Sequence, residues 1–174
     1  GRMFGFAYGE KENGAVFSHM TVMYANALYQ RGFVKEGYKA LYTLLEQAMN
    51  TKVSRMYPGI PEYFDAQGRG KYPYLTGAAS WYMMTVVTQI YGFRGLWGDL
   101  MIEPKILLTQ FDALGNFSAE IPYRGQIFSV VYQNPEHKEY GTYKISEIWI
   151  DGTLYKEPEE KSVCIPFSVL EGKK

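Results

Sequence analysis

The chain has 174 residues, which favours one domain or two small units over a larger assembly. A hydrophobic content of 47% supports a real core, and 21% charged residues argue against disorder. The formal net charge of zero gives no electrostatic reason to bind nucleic acid or an anionic membrane. A single cysteine, Cys164, excludes an internal disulfide and fits a reducing, cytoplasmic compartment, and no apolar run has the length of a bilayer span.

Residues 1–14 read as a loop, with Gly1, Gly5, Gly9 and Gly14 around the polar run Glu10-Lys11-Glu12-Asn13. The opening Gly1-Arg2-Met3-Phe4-Gly5 reads as the interior of a longer protein. Val16, Met20, Met23 and Ala27 recur at helical spacing and predict a helix from about Ala15 to Arg31, broken by Gly32. A second helix follows from Val34 to Met49, with Leu41, Leu44, Leu45 and Ala48 as its stripe, and the two make an αα-hairpin. A long aromatic, Gly- and Pro-rich segment occupies Thr51 to Leu75; loops of this length inside a domain usually serve function. A third helix, Gly77 to about Tyr91, is apolar nearly all round and is expected to be buried, with Gly92 closing it.

After Gly98 the pattern changes to strands: 100–102, 116–123, 126–133, 143–150 and 162–169. Asp151-Gly152 between two apolar runs marks a type I′ hairpin. Helices followed by strands predict an α+β fold, with helices in 1–97 and a β unit in 98–174.

Chemistry concentrates around the long segment. If Thr76 caps the third helix, the first N–H groups of that helix lack partners, Gly77 lets an anion approach the backbone, and the dipole favours negative charge. An ordinary N-cap is the competing reading for Thr76. His19, among apolar residues, is either a satisfied core histidine or a donor to an anion. Lys11, Glu12 and Glu62 are solvated loop charges or contacts to sugar hydroxyls, and the 16 tyrosines suit either sugar stacking or a Tyr-rich sheet. Arg69 suits either a salt bridge that stiffens the loop, the favoured reading, or a contact to ligand. His137 reads as a solvated turn residue, and two histidines and one cysteine far apart predict no metal site. Gly68-Arg69-Gly70 is not a dinucleotide fingerprint, because no strand precedes it and no helix follows directly.

Four ordered blocks carry a family resemblance: Lys11-Glu12-Asn13-Gly14-Ala15-Val16-Phe17-Ser18-His19, Tyr57-Pro58-Gly59-Ile60-Pro61-Glu62-Tyr63, Tyr74-Leu75-Thr76-Gly77-Ala78-Ala79-Ser80-Trp81 and Gly98-Asp99-Leu100-Met101-Ile102-Glu103-Pro104-Lys105. Over essentially its whole length the chain resembles the carboxyl-terminal part of the inverting disaccharide phosphorylases of glycoside hydrolase family 94. The resemblance implies the last helices of an (α/α) six-hairpin toroid, followed by an antiparallel, jelly-roll-like β-sandwich. It implies a phosphate site at His19, Thr76 and Gly77, and a sugar contact at Lys11. Apart from the resemblance, Glu62 is flanked by Pro61 and Tyr63 and so reads as a rigidly presented hydroxyl acceptor. The implied reaction is reversible phosphorolysis of a β-linked glucosyl disaccharide or oligosaccharide to an α-sugar 1-phosphate, with phosphate as co-substrate and no cofactor. The parent protein is expected to be a homodimer.

The family's general acid is an Asp upstream of everything present here, and Asp65, Asp99, Asp112 and Asp151 match no such motif, so no catalytic residue is expected in this chain. Three helices also cannot close six hairpins, leaving an apolar face near Met20, Met23, Trp81 and Met84. Two other readings stand beside this one: the phosphorylase-like part of a cyclic β-1,2-glucan synthase, and a non-catalytic carbohydrate-binding module whose tyrosines contact glycan.

Overall fold

The computed structural model describes residues 2–57, 59–73 and 77–173, with Arg2 described by its backbone alone. The fold is α+β, and the chain divides into two compact units, Gly1–Thr85 and Val86–Lys174.

In the first unit α1 (Ser18–Gln30) and α2 (Val34–Met49) form the expected hairpin, and α1 also packs on α4 (Gly77–Thr85). Val22, Ala25 and Tyr29 of α1 and Leu41, Leu44 and Ala48 of α2 are buried. The helices approach closely at Gly37, where a Cβ would stand 2.6 Å from the Tyr29 ring. One buried polar bond crosses this core: Asn26 Nδ2 donates to Thr85 Oγ1 at 3.0 Å.

The helix expected from Ala15 begins at Ser18 instead, because Val16–Phe17 is a strand, β1. It pairs antiparallel with β2 (Tyr63–Phe64), which pairs with β3 (Gly70–Lys71). The long segment therefore contains structure of its own, including a short helix, α3 (Thr51–Ser54). The all-round burial expected for the third helix is not found: α4 buries Ala78 and Thr85, while Met83 and Met84 are exposed. Few helices are present in this unit to cover it. A π-helical turn, Val86–Ile90, follows in sequence.

In the second unit β4 (Phe93–Leu96), β5 (Asp99–Ile102) and β10 (Val163–Ile165) form one sheet in the order β10-β5-β4. The hairpin of β6 (Asn116–Tyr123) and β7 (Gln126–Gln133) shares a core with it: Phe93, Leu100, Val163 and Ile165 cluster with Ile121 and Phe128. This is the layering of a β-sandwich. A further hairpin, β8 (Ile148–Ile150) and β9 (Thr153–Lys156), turns at Asp151-Gly152 with φ of 48° and 75°, as a type I′ turn requires.

Two strand expectations are shortened by identifiable hydrogen bonds. Before Ile148 the Tyr143 hydroxyl donates to the Ile106 carbonyl at 3.0 Å and accepts from its N–H at 2.9 Å, and only Ile145 bridges, to Glu160. After Ile165, Pro166 lacks a donor and the Asp99 carboxylate accepts the Phe167 N–H at 3.0 Å, so the chain turns into α5 (Phe167–Leu170). Strand β4 lies where the sequence suggested only a junction; its two-residue turn, Trp97-Gly98, has φ of 54° and 97°.

Candidate functional site

The short β1-β2-β3 sheet gathers the chemistry of the first unit. The Ser18 N–H, at the start of α1, donates to the Glu62 carbonyl at 2.9 Å, and the Glu62 N–H donates to the Lys71 carbonyl at 3.1 Å. Residues far apart in sequence are thereby fixed beside the N-terminus of α1.

His19 sits in the first turn of α1, half-buried, against the first residue of α4. A Cβ on Gly77 would lie 2.5 Å from His19 Cε1, 2.8 Å from Nδ1 and 3.1 Å from Nε2, so the imidazole occupies the space that any other residue would fill. Its Nε2 is buried and has no hydrogen-bond partner among the described residues. Native buried polar atoms are nearly always paired, so an orphaned ring nitrogen calls for a water or a ligand. Gly77 belongs to the first helical turn, where backbone N–H groups have no partner within the helix. Thr76 lies outside the described residues. The Ser18 hydroxyl and Glu62 Oε2 are also buried without hydrogen-bond partners among the described residues, and both belong to this same junction.

Lys11 and Glu62 are brought together. Lys11 Nζ stands 4.0 Å from Glu62 Oε2 and 4.1 Å from the centroid of the Tyr72 ring, a cation–π contact, with Tyr63 behind at 5.9 Å. Lys11 and Tyr72 both adopt left-handed backbone, with φ of 43° and 57°. That conformation is costly for residues with a Cβ, and such strain gathers at functional sites.

Beneath this pair lies a charged network. The Tyr63 hydroxyl donates to Glu10 Oε2 at 2.7 Å, and Lys71 Nζ stands 3.5 Å from both Glu10 Oε1 and Asp65 Oδ2. Burial first, then the Glu10 carboxylate, hold the Tyr63 phenol well above its ordinary range, so it remains a donor. Asp65 accepts the N–H groups of Gln67 and Arg69, both at 2.9 Å, and the Arg69 side chain at 3.0 Å. Burial raises its pKa, but these donors outweigh it and leave the carboxylate below its usual value. Arg69 thus stiffens the turn, as expected.

Sequence reasoning did not single out Tyr72, Lys71 or Glu10. The remaining aspartates hold backbone or turns: Asp99 accepts from Phe167, Asp112 from Leu114 and Asn116, and Asp151 occupies the β8–β9 turn. His137 is an exposed residue of the second unit. Among the described residues no group of three metal-ligating side chains occurs, and no helix is long and apolar enough to cross a membrane.

No family model matches the chain. It is 25% identical over 154 residues to cellobionic acid phosphorylase of Neurospora crassa, covering 80% of this chain and 19% of that protein. It is 30% identical over 145 residues to N,N'-diacetylchitobiose phosphorylase of Vibrio furnissii, covering 79% of this chain and 18% of that protein. The chain therefore spans about a fifth of the length of the curated relatives it matches. At that coarse level it is phosphorylase-like, similar to a stretch of two disaccharide phosphorylases.

Proposed function

We propose that this chain is a piece of an inverting carbohydrate phosphorylase of the glycoside hydrolase family 94 type, and that it supplies one wall of the active site. His19, Gly77 and Thr76 bind the attacking phosphate; Lys11 and Glu62 face the sugar. The observation that carries this reading is the buried His19 Nε2, without a hydrogen-bond partner among the described residues and lodged against Gly77 at the start of α4. An imidazole N–H and a first-turn backbone N–H at one place suit an oxyanion.

In the reaction, phosphate attacks the anomeric carbon from one face while an acid protonates the leaving oxygen from the other. Phosphate replaces the activated water of an inverting hydrolase, so one carboxyl group suffices. The residues here hold the nucleophile in line, a positioning contribution. The Lys11 ammonium and Glu62 carboxylate offer a donor and an acceptor to sugar hydroxyls, and Tyr72 offers a ring face. The acid belongs to the rest of the phosphorylase, within the toroid that these helices would help to close. The names of both relatives support the disaccharide and phosphate chemistry.

Calorimetric titration with inorganic phosphate tests the reading. Saturable binding to the wild-type chain that disappears in His19→Ala and in Thr76→Ala is expected. Glycan binding that survives both changes, with no phosphate binding, would instead indicate a carbohydrate-binding module.

A further inference from the structure

The His19 imidazole meets α4 at two residues, Gly77 and Trp81, one turn apart and on the same helical face. Its edge fills the space above Gly77, with Cε1 2.5 Å from where a Cβ would stand. The Trp81 ring centroid lies 5.7 Å from that of His19, with the planes inclined by 56°, a tilted aromatic contact. Nε2 has no hydrogen-bond partner among the described residues, and the contacts with Gly77 and Trp81 are the constraints on the ring that the structure shows.

We propose that Trp81 is a positioning residue for His19: the indole fixes the tilt of the imidazole over Gly77 and so holds Nε2 at the first turn of α4. The proposal rests on the reading of His19 as a phosphate ligand and extends it to a residue that itself touches no phosphate. With the indole gone the imidazole swings between rotamers, and the anion must order it on binding. Phenylalanine keeps a smaller ring face and part of the constraint.

The test is nuclear magnetic resonance of the chain labelled at histidine, titrated with inorganic phosphate. His137, in the second unit, is the internal control. In Trp81→Leu the His19 Cε1–H resonance shifts before phosphate is added, and phosphate affinity falls about three- to tenfold. Trp81→Phe lies between Trp81→Leu and wild type in each readout, and His137 does not move. A His19 signal and phosphate affinity unchanged in Trp81→Leu overturn the proposal, as does a phenylalanine variant no better than leucine. Should Trp81→Leu not fold, Trp81→Phe decides alone, and identity with wild type overturns the proposal. If wild type shows no phosphate response, the phosphate reading of His19 fails separately. The positioning claim then stands or falls on the His19 resonance in the Trp81 variants.

Discussion

Replacing Asp65 with alanine probes whether the β2–β3 turn holds the candidate site together. The side chain is only 1% exposed and receives two backbone N–H groups at 2.9 Å, those of Gln67 and Arg69. Leaving those donors unpaired costs about 1–3 kcal/mol each when they stay dry, and partial hydration of the turn brings the sum to about 3 kcal/mol. The ion pairs to Arg69 and Lys71 add little, because both cations are substantially exposed. For a unit of this size about 3 kcal/mol lowers the melting temperature by roughly 12–24 °C. The sign of the pH dependence follows from the direction of the Asp65 shift, below the ordinary 3.8. A depressed carboxylate contributes its stability above the unfolded-state pKa and loses it as pH falls through the folded-state value. The gap between wild type and Asp65→Ala is therefore widest at neutral pH and narrows below about pH 4. Thermal unfolding followed by the helical circular dichroism signal measures both. Equal melting temperatures at neutral pH, or a gap that widens in acid, would refute the reasoning.

Other outcomes follow from the same structure. Gly92 has a φ of 64° and a Cβ there would stand 1.9 Å from the Glu103 carbonyl oxygen, so both backbone strain and a backbone clash oppose a side chain. Gly92→Ala is expected to destabilise the second unit by about 3 kcal/mol in denaturant unfolding, and an unchanged midpoint would contradict this. Lys11→Met keeps the aliphatic stem, costs about 0.5–1 kcal/mol through the lost contact with Tyr72, and abolishes the response of that ring to added glucose in proton spectra. A glucose response equal to wild type would remove Lys11 from the sugar site. The pure 174-residue chain mixed with cellobiose and phosphate should release no α-glucose 1-phosphate; release above the blank would place an acid within it.

The α1–α2 hairpin, the β6–β7 strands and the Asp151-Gly152 turn were legible because local periodicity and turn chemistry determine them. The β1-β2-β3 sheet was not, since its two-residue strands carry no alternation and pair Val16 with Phe64 across the whole α1–α2 hairpin. That hidden sheet is what joins the site. His19, Lys11, Glu62 and Gly77 each stood out by residue type, whereas the contacts of His19 with Gly77 and of Lys11 with Tyr72 exist only once the chain has closed on itself. The apolar sequence of α4 misled for a related reason. Periodicity reports which faces prefer burial, and Met83 and Met84 stay exposed here.

The most direct test of the central claim is a crystal structure of the chain soaked with arsenate, a phosphate mimic located by its anomalous scattering. The expected result is an arsenate bonded to His19 Nε2 and the Gly77 N–H, and absent from His19→Ala crystals. An unoccupied junction with His19 Nε2 bonded to protein, or arsenate bound only elsewhere, would contradict the assignment.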